Sequence, residues 1–400
     1  MDRKLAISTA VALALGASPF ANADAVWELN PKVESGYLYD NNYRLTAPGT
    51  EISVSGPLVD AALEMRTLTQ KGEFSFTPRV RATYFPGDSA LDSVDYFATL
   101  DARRDGQRFR TRVRGDFAQQ DIVNSEQPDA DIDTGLGEPV FGDAGRVLVT
   151  NRRTRYAIRP GVSWDLSQRN VVELEAGYAD VSFDRALSEA QVGFDTTDVA
   201  GAIRTRLNER TTIATRLRWA QYDIQFQDVT TAYGLEVQWD TRTVKDTRRF
   251  FRLGAQNVEL PSGEKQTAWL AGAGVSVLLG RNEIFTDIAR SVGPSSAGLV
   301  VSRDQLRLRL QRAMTPRLAL QVGMRGTHDE AVDETTDFQA RSYATADVGL
   351  EWRWQEEWSF RIAGDYTWQK YGSIDQDADS LGGMVSIIYQ PLQRVPGRND

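Results

Sequence analysis

Cysteine is absent from this 400-residue chain, and histidine occurs once, as His328. The lack of cysteine excludes a disulfide framework, thiol catalysis, zinc held by cysteine and a lipid anchor on an N-terminal cysteine. A single imidazole also excludes any site that needs two histidines. We expect no metal site and no cofactor, and no catalytic residues, because a lone loop histidine is usually incidental.

Long apolar runs are also missing, since no stretch reaches the ~20 residues that a membrane-spanning helix requires. The formal charge of −9 argues against a nucleic-acid partner, although 40 arginines accompany only 6 lysines. Hydrophobic residues make up 41% of the chain and charged residues 25%, and the mean hydropathy is −0.41. This composition excludes a helical membrane bundle and a disordered chain. It is compatible with a membrane β-barrel, whose apolar residues alternate with polar ones.

The N-terminus has the order of regions that is typical of a secretory signal peptide. Asp2, Arg3 and Lys4 precede an apolar run at residues 5–16, and the small-residue motif Ala21-Asn22-Ala23 follows. We expect residues 1–23 to be a signal peptide that is cleaved after Ala23.

Polar and apolar residues alternate through almost all of the remaining chain. Leu306, Leu308 and Leu310, for example, alternate with Arg307 and Arg309. A period of two is that of a strand with one apolar face. The alternation predicts about 18 strands, at residues 27–39, 58–68, 73–85, 93–103, 107–119, 147–165, 171–183, 197–207, 211–225, 231–243, 248–260, 266–279, 282–291, 299–313, 317–327, 340–354, 357–371 and 380–390. The alternation is interrupted at 282–291 and 299–313, so 16 strands remain an alternative.

The predicted connections alternate between tight turns and longer polar loops. Tight turns lie at 70–72, 105–106, 167–170, 208–210, 245–247, 280–281, 315–316 and 355–356, and long loops at 40–56, 120–146, 184–196, 328–339 and 372–379. Outer-membrane barrels have short periplasmic turns, long extracellular loops and an even number of strands. We therefore predict an all-β fold, a transmembrane antiparallel up-and-down β-barrel over residues 24–390. A soluble β-propeller is the alternative, but it does not require loops that alternate in length.

Aromatic residues fit the two girdles that a barrel carries at the bilayer interfaces. Near tight turns lie Trp164, Trp239, Trp352, Trp354 and Trp358, and near long loops lie Tyr39, Tyr84, Phe183, Trp368 and Tyr371.

Two segments resemble a known family. The first runs from Asn30-Pro31-Lys32-Val33 to Tyr43-Arg44-Leu45, and the second from Thr150 to Arg155 with Pro160, Trp164 and Leu166-Ser167. Both are similar to β-barrel porins that are encoded with bacterial exopolysaccharide loci. The resemblance implies a barrel of an exopolysaccharide production or export system in the Gram-negative outer membrane. It implies periplasmic export components and the polysaccharide as partners.

The last strand resembles the carboxy-terminal signal of outer-membrane barrels, in which a polar residue and a glycine precede alternating apolar residues. The matching positions are Ser380, Gly382, Val385, Ile387 and Tyr389. The resemblance implies recognition by the barrel-insertion machinery. Most such proteins end on the aromatic residue, whereas here we expect a periplasmic tail at residues 391–400.

Arginine dominates the strand faces that a barrel would turn toward its lumen. The candidate residues of a solute path are Arg108, Arg110, Arg112, Arg114, Arg153, Arg155, Arg216, Arg218, Arg307 and Arg309. A guanidinium group stays charged and offers a rigid donor fork to carboxylates and sugar hydroxyls. Several such groups predict a positive stripe along the pore. The alternative is that carboxylates of other strands, such as Asp101, Glu173 and Glu236, pair with them and brace the wall.

Acidic residues concentrate in two predicted outer loops. One contains Asp121, Glu126, Asp129, Asp131, Asp133, Glu138 and Asp143, and the other Asp329, Glu330, Asp333, Glu334 and Asp337. Divalent cations bind clustered carboxylates, but the spacing matches no EF-hand. A solvated acidic rim is the simpler interpretation.

Three functions remain open. The first is an exopolysaccharide conduit in contact with outer-membrane lipid and lipopolysaccharide, and the second is a general diffusion porin or small-solute channel. A loop folded into the lumen would favour the second, and the sequence leaves open whether loop 120–146 folds inward. The third is a surface enzyme that uses His328, which lies at the start of a predicted outer loop.

Overall fold

The computed structural model describes residues 26–125, 151–184, 191–243, 247–333, 340–372 and 374–391. The predicted signal peptide and its cleavage site, residues 126–146 of the longest loop, Glu334 and Asp337 of the second acidic loop, and the tail beyond residue 391 lie outside these ranges. None of the helical segments within them combines the length and the apolar character of a membrane-crossing helix.

Eighteen strands make up 77% of the described chain. They are β1 Val26–Asp40, β2 Val54–Thr69, β3 Gly72–Thr83, β4 Ser93–Asp105, β5 Phe109–Asp121, β6 Arg152–Asp165, β7 Asn170–Phe183, β8 Phe194–Arg206, β9 Thr211–Ile224, β10 Thr230–Thr243, β11 Thr247–Glu259, β12 Lys265–Leu279, β13 Asn282–Pro294, β14 Val300–Ala313, β15 Leu318–Ala331, β16 Arg341–Arg353, β17 Trp358–Tyr371 and β18 Ile374–Tyr389. Two short helices accompany them, a 3-10 turn at Ser89–Leu91 and α1 at Ile122–Ser125. The predicted number of strands is confirmed, including the two with interrupted alternation.

Each strand pairs antiparallel with the next, and β1 pairs with β18. The closing register runs from Val33 opposite Tyr389 to Asp40 opposite Gly382. The sheet is therefore a closed up-and-down barrel, and closure leaves no unpaired sheet edge.

Apolar side chains cover the outside of the barrel. Leu217 on β9 is 64% exposed and Leu253 on β11 is 53% exposed, whereas their strand neighbours Arg216 and Arg218 lie on the opposite face. Residues opposite each other in adjacent strands share a face, so the registers extend this division around the whole sheet. A closed barrel with an apolar outer belt and a polar inner wall is a transmembrane barrel of the outer-membrane type.

The aromatic girdles are present with two corrections. Trp164, Trp239 and Trp352 are exposed near the short turns, as predicted, and Trp358 contacts Tyr389 with 4.7 Å between ring centroids. Phe183 and Tyr371, however, face inward. Phe183 packs on a cluster of buried side chains inside the barrel, and Tyr371 stacks near the guanidinium of Arg341.

Two predicted connections are shorter than expected, because strands continue into polar sequence. Strand β18 begins at Ile374, so the connection from β17 is only residues 372–373 instead of 372–379. Strand β15 continues to Ala331, so His328, Asp329 and Glu330 belong to the wall and not to an outer loop. Alternation of polarity cannot mark a strand whose two faces are both polar.

An apolar cluster fills part of the lumen at the end that carries the longer loops, which is the extracellular end. Its members are Val181, Phe194, Ala220, Tyr222, Ile224, Ala232, Val258, Leu260, Val292, Val300 and Val332. Strands β9 and β13 touch each other there, although three strands separate them in the sheet, and the Tyr222 hydroxyl donates to the Val292 carbonyl at 3.4 Å. The open lumen lies away from this packing, along β14–β18 and β1–β3.

Candidate functional site

The predicted arginine ladder faces the lumen from β5. Phe109 and Phe117 of this strand are exposed on the outside, so Arg110, Arg112 and Arg114 lie on the inner face. Arg108 precedes the strand, and its carbonyl accepts from the amide of Asp165. The ladder within the strand therefore has three members, and Arg108 belongs to the periplasmic turn.

Carboxylates of the neighbouring strands hold all three ladder residues. Arg110 Nη2 lies 2.5 Å from Asp165 Oδ1, and Arg112 Nη2 lies 2.5 Å from Asp101 Oδ2. Arg114 Nε lies 3.5 Å from the same Asp101 oxygen. The alternative prediction, in which acidic residues pair with the arginines and brace the wall, describes this part of the lumen.

The other predicted arginines also line the inner wall, and most contact acids. Arg155 lies 2.6 Å from Asp116, Arg218 lies 3.6 Å from Asp198, and Arg216 lies 4.0 Å from Glu236. Arg307 and Asp287 form a buried bidentate pair with Nε 2.7 Å from Oδ1. Arg153 is buried near the extracellular end, and Arg309 borders an open cavity in the lumen. The inner wall is thus a mosaic of paired charges and not a stripe of one sign.

The β1–β2 loop, residues 41–53, folds into the lumen, which no sequence signal indicated. Leu45 is buried against Tyr343 of β16 and Ala378 of β18, both on the inner face. The Leu45 carbonyl accepts from Gln369 Nε2 at 3.0 Å. Asn42 Nδ2 donates to the Asp379 carbonyl at 2.9 Å.

The same loop reaches the opposite side of the open lumen. Tyr43 is buried with Phe85, Leu91 and Val123, which lie at the extracellular ends of β3–β4 and β5. Its ring meets that of Phe85 edge-on at 5.3 Å. The loop therefore spans from β17–β18 to β5 and narrows the extracellular half of the pore.

A cavity of about 390 Å³ lies under this loop, with Tyr43 in its lining. Its walls come from β1–β3 and β14–β18 and carry charges of both signs. Arg79 and Arg81 share the carboxylate of Asp60, at 2.8 Å and 3.0 Å. A dissolved molecule can occupy this cavity beneath the constriction.

Three carboxylates form a row along one wall of the cavity. Asp347 of β16 stands opposite Asp365 of β17, which stands opposite Gly382 of β18, and Gly382 stands opposite Asp40 of β1. The charged groups that act on Asp365 are the carboxylates of Asp40 and Asp347. Arg361 and Arg309 act on Asp347, so the uncompensated negative charge of the row centres on Asp365.

The predicted insertion signal divides between the two faces of β18. Ser380 and Gly382 face inward, where Ser380 Oγ donates to Asp40, and Val385 and Ile387 are exposed outward. Tyr389 completes the outer aromatic contact with Trp358. Recognition of this strand by insertion machinery stays a prediction.

His328 points out of the barrel and has two side-chain partners that the sequence did not reveal. Its Nδ1 lies 2.8 Å from Ser342 Oγ on β16, and its Nε2 lies 3.1 Å from Glu330 Oε1 on its own strand. Asp329 between them faces inward and binds Arg303 at 2.6 Å. Within the described ranges no three acidic or imidazole side chains are grouped so that they could hold a metal ion.

Comparison with known proteins gives similarity in fold only. No protein-family model matches the sequence, and no curated protein matches it. Among solved structures, the chain is similar to OccAB4 of Acinetobacter baumannii, with a TM-score of 0.47 and 11% identity over 94% of this chain and 100% of that one. It is also similar to OccK2 (OpdF) of Pseudomonas aeruginosa, solved in complex with glucuronate, with a TM-score of 0.46 and 13% identity over 92% and 98%. The siderophore receptor PirA of Pseudomonas aeruginosa gives a TM-score of 0.42 and 10% identity over 91% and 80%.

Proposed function

We propose that the protein is an outer-membrane channel for small hydrophilic solutes. The observation that carries this proposal is the β1–β2 loop, which crosses the lumen between the contacts of Leu45 and those of Tyr43. An 18-stranded barrel is wide enough for an aqueous lumen. A loop across it limits the size of the solute that passes. The apolar cluster between β9 and β13 narrows the passage from the other side.

The charge pattern supports a channel with weak overall selectivity. Ion pairs such as Arg112 with Asp101 and Arg155 with Asp116 neutralise most of the arginines predicted to attract anions. Charged walls of one sign select ions of the other, and here neither sign dominates around the ring. The row Asp40, Asp347 and Asp365 favours cations at one position below the constriction.

The resemblance to porins of exopolysaccharide loci predicts a polymer conduit instead. The paired arginine ladder and the inward loop both argue against a conduit. A neutralised ladder offers an acidic polymer little attraction, and an inward loop obstructs a chain more than it obstructs a small molecule. These features support the small-solute channel over the conduit. Unchanged extracellular polysaccharide in a strain that lacks the protein would contradict the conduit, whereas loss of secreted polymer would favour it.

The channel proposal is tested with the full mature chain in planar bilayers. We expect stepwise conductance, and a variant in which residues 43–51 are replaced by two glycines should conduct more and admit larger sugars in liposome swelling. Replacement of the loop tip 226–228 by two glycines is the control, because Phe226 is strongly exposed there. A properly folded protein that conducts neither before nor after loop removal would contradict the proposal.

A further inference from the structure

His328, Ser342 and Glu330 form a serine–histidine–carboxylate arrangement on the outer wall. His328 Nδ1 is 2.8 Å from Ser342 Oγ, and His328 Nε2 is 3.1 Å from Glu330 Oε1. His328 stands directly opposite Ser342 in the β15–β16 register, so the pair is fixed by the sheet. An imidazole between a hydroxyl and a carboxylate is the arrangement that activates a serine nucleophile.

The carboxylate is itself held in place. Arg290 of β13 donates from Nη2 to Glu330 Oε2 at 3.4 Å and from Nε to Ser302 Oγ at 3.0 Å. The second oxygen, Oε1, is left directed at the imidazole. Side-chain exposures of 42% for His328 and 52% for Glu330 keep the group open to the surroundings of the barrel.

The group lies at the depth in the membrane where the acyl chains of a lipid join its headgroup. Arg290, Asp304, His328 and Ser342 stand opposite one another in successive strands and form a polar row near the extracellular ends. Two residues along each strand, toward the middle of the membrane, the outward-facing row consists of Ile288, Leu306, Gly326 and Ala344. The polar row therefore begins where the apolar belt ends, which is the depth at which acyl chains join their headgroup.

A shallow slot lies directly below the serine and the histidine. Gly326 and Ala344 are opposite each other there, between the larger Leu306 on β14 and Trp368 on β17. A Cβ on Gly326 would meet nothing closer than the Tyr343 carbonyl at 3.9 Å. Two small residues between two large ones leave room for a hydrocarbon chain along the wall.

We propose that Ser342 and His328 are the catalytic residues of an acyl-ester hydrolase that acts on lipids of the outer leaflet, with Glu330 and Arg290 as positioning residues. This activity is separate from the channel, because the group faces away from the lumen. The sequence favours a chain without catalytic residues, because a lone loop histidine is usually incidental, and it leaves an enzyme that uses His328 as the alternative. The structure places a serine and a carboxylate beside that histidine.

The reaction balances with water as the second reactant. Ser342 Oγ attacks the ester carbonyl carbon while its proton passes to His328 Nδ1, and Nε2–H donates to Glu330. The acyl C–O bond breaks, and the leaving alcohol oxygen takes the proton from Nδ1. Water then attacks the acyl-serine and gives a proton to Nδ1, and that proton returns to Ser342 Oγ as the carboxylic acid leaves.

The experiment uses the full mature chain in detergent with mixed micelles of dioleoyl phosphatidylcholine, and it measures release of oleic acid and labelling by a fluorophosphonate. We expect both activities in the wild type and loss of both to background in Ser342→Ala. Ser55→Ala is the matched control, because Ser55 is an outward serine of β2 that bonds Tyr37 and has no imidazole near it. It should retain full release and labelling.

Further variants separate positioning from folding. Glu330→Gln should lower kcat at least about tenfold with an unchanged KM, since Glu330 acts through the imidazole. A shift in migration on a denaturing gel between unboiled and boiled samples, equal to that of the wild type, shows that each variant is folded. Absence of labelling and release in the wild type, or equal release by a folded Ser342→Ala protein, would overturn the hydrolase proposal and leave the channel proposal standing.

Discussion

Gly382 provides the space in which the Asp365 carboxylate lies. A Cβ built on Gly382 would stand 2.6 Å from both carboxylate oxygens of Asp365, which is opposite it on β17. The acidic side chain therefore rests flat against the neighbouring strand and not toward the pore axis. Asp347 lies over Gly323, and Asp198 over Gly177, in the same way. Glycine on one strand thus sets how far a carboxylate on the next strand extends into the lumen.

Gly382→Ala should alter selectivity while the barrel stays folded. The added methyl group displaces only the end of a mobile side chain, and it moves the Asp365 carboxylate toward the solute path. We expect the ratio of cation to anion permeability to rise by roughly twofold, measured as a reversal potential across a salt gradient. Asp365→Asn should lower the ratio.

Gly364→Ala is the control for this prediction, since Gly364 is at the same level on β17 and faces outward with only the Gly382 carbonyl at 3.7 Å. Its selectivity should equal that of the wild type. If the ratio of cation to anion permeability rose as much in Gly364→Ala as in Gly382→Ala, this result would contradict a role for the Asp365 carboxylate.

Gly36→Ala, in contrast to Gly382→Ala, should lower the stability of the barrel and leave its ion selectivity unchanged. An added Cβ would stand 2.5 Å from the Val385 carbonyl and 2.7 Å from Ser386 Cβ on β18. Backbone atoms cannot rotate away, so the β1–β18 closure must shift. We expect a lower urea midpoint of unfolding with little change of selectivity in the fraction that folds. A stability equal to that of Gly382→Ala would show that the closing strands adjust freely.

Removing one partner of the Arg307–Asp287 pair should destabilise the barrel strongly. The two side chains are only 4% and 1% exposed, and a buried charge that loses its partner costs about 3–5 kcal/mol. Asp287→Asn should therefore lower the free energy of unfolding by that amount, measured by tryptophan fluorescence in urea. Asp101→Asn is the comparison, because Arg112 and Asp101 are 52% and 35% exposed and such pairs contribute about 1 kcal/mol or less. If both variants lost the same free energy of unfolding, burial would not determine how much each ion pair contributes.

Sequence alone predicts the wall of this protein better than its interior. The alternation around Leu306–Leu310 identifies β14 because one face meets lipid and the other meets water, so polarity must repeat every two residues. The apolar cluster inside the barrel could not be predicted in this way. Ala220 and Tyr222 are apolar residues at inward positions, where alternation predicts polar ones, and their partner Val292 is distant in the sequence. The triad-like contact of His328 was equally hidden, because Ser342 becomes its neighbour only through the β15–β16 register.

A covalent link between the β1–β2 loop and β18 should leave the channel open. The chain has no cysteine of its own, and Leu45 and Ala378 belong to one buried cluster. Oxidation of a Leu45→Cys, Ala378→Cys variant should then form the link without altering the single-channel conductance, since the loop already rests there. Reduction with dithiothreitol is the control. A fall in conductance on oxidation would mean that the conducting channel has a different loop position.

Alkaline solution should release the same loop through Tyr43. Burial raises the pKa of the Tyr43 phenol far above its ordinary value, and the nearby carboxylates of Asp121 and Asp95 raise it further. A buried phenol must stay neutral. Below pH about 10, the pKa of tyrosine in an unfolded chain, the Tyr43 phenol therefore stabilises the inward loop fully. This stabilisation is lost as the pH rises from there toward the raised pKa of the buried phenol. We therefore expect constant conductance up to about pH 10 and a larger conductance above it. Tyr43→Phe has no group to ionise, so its conductance should not change over that range. A rise in Tyr43→Phe equal to that in the wild type would assign the effect to another group.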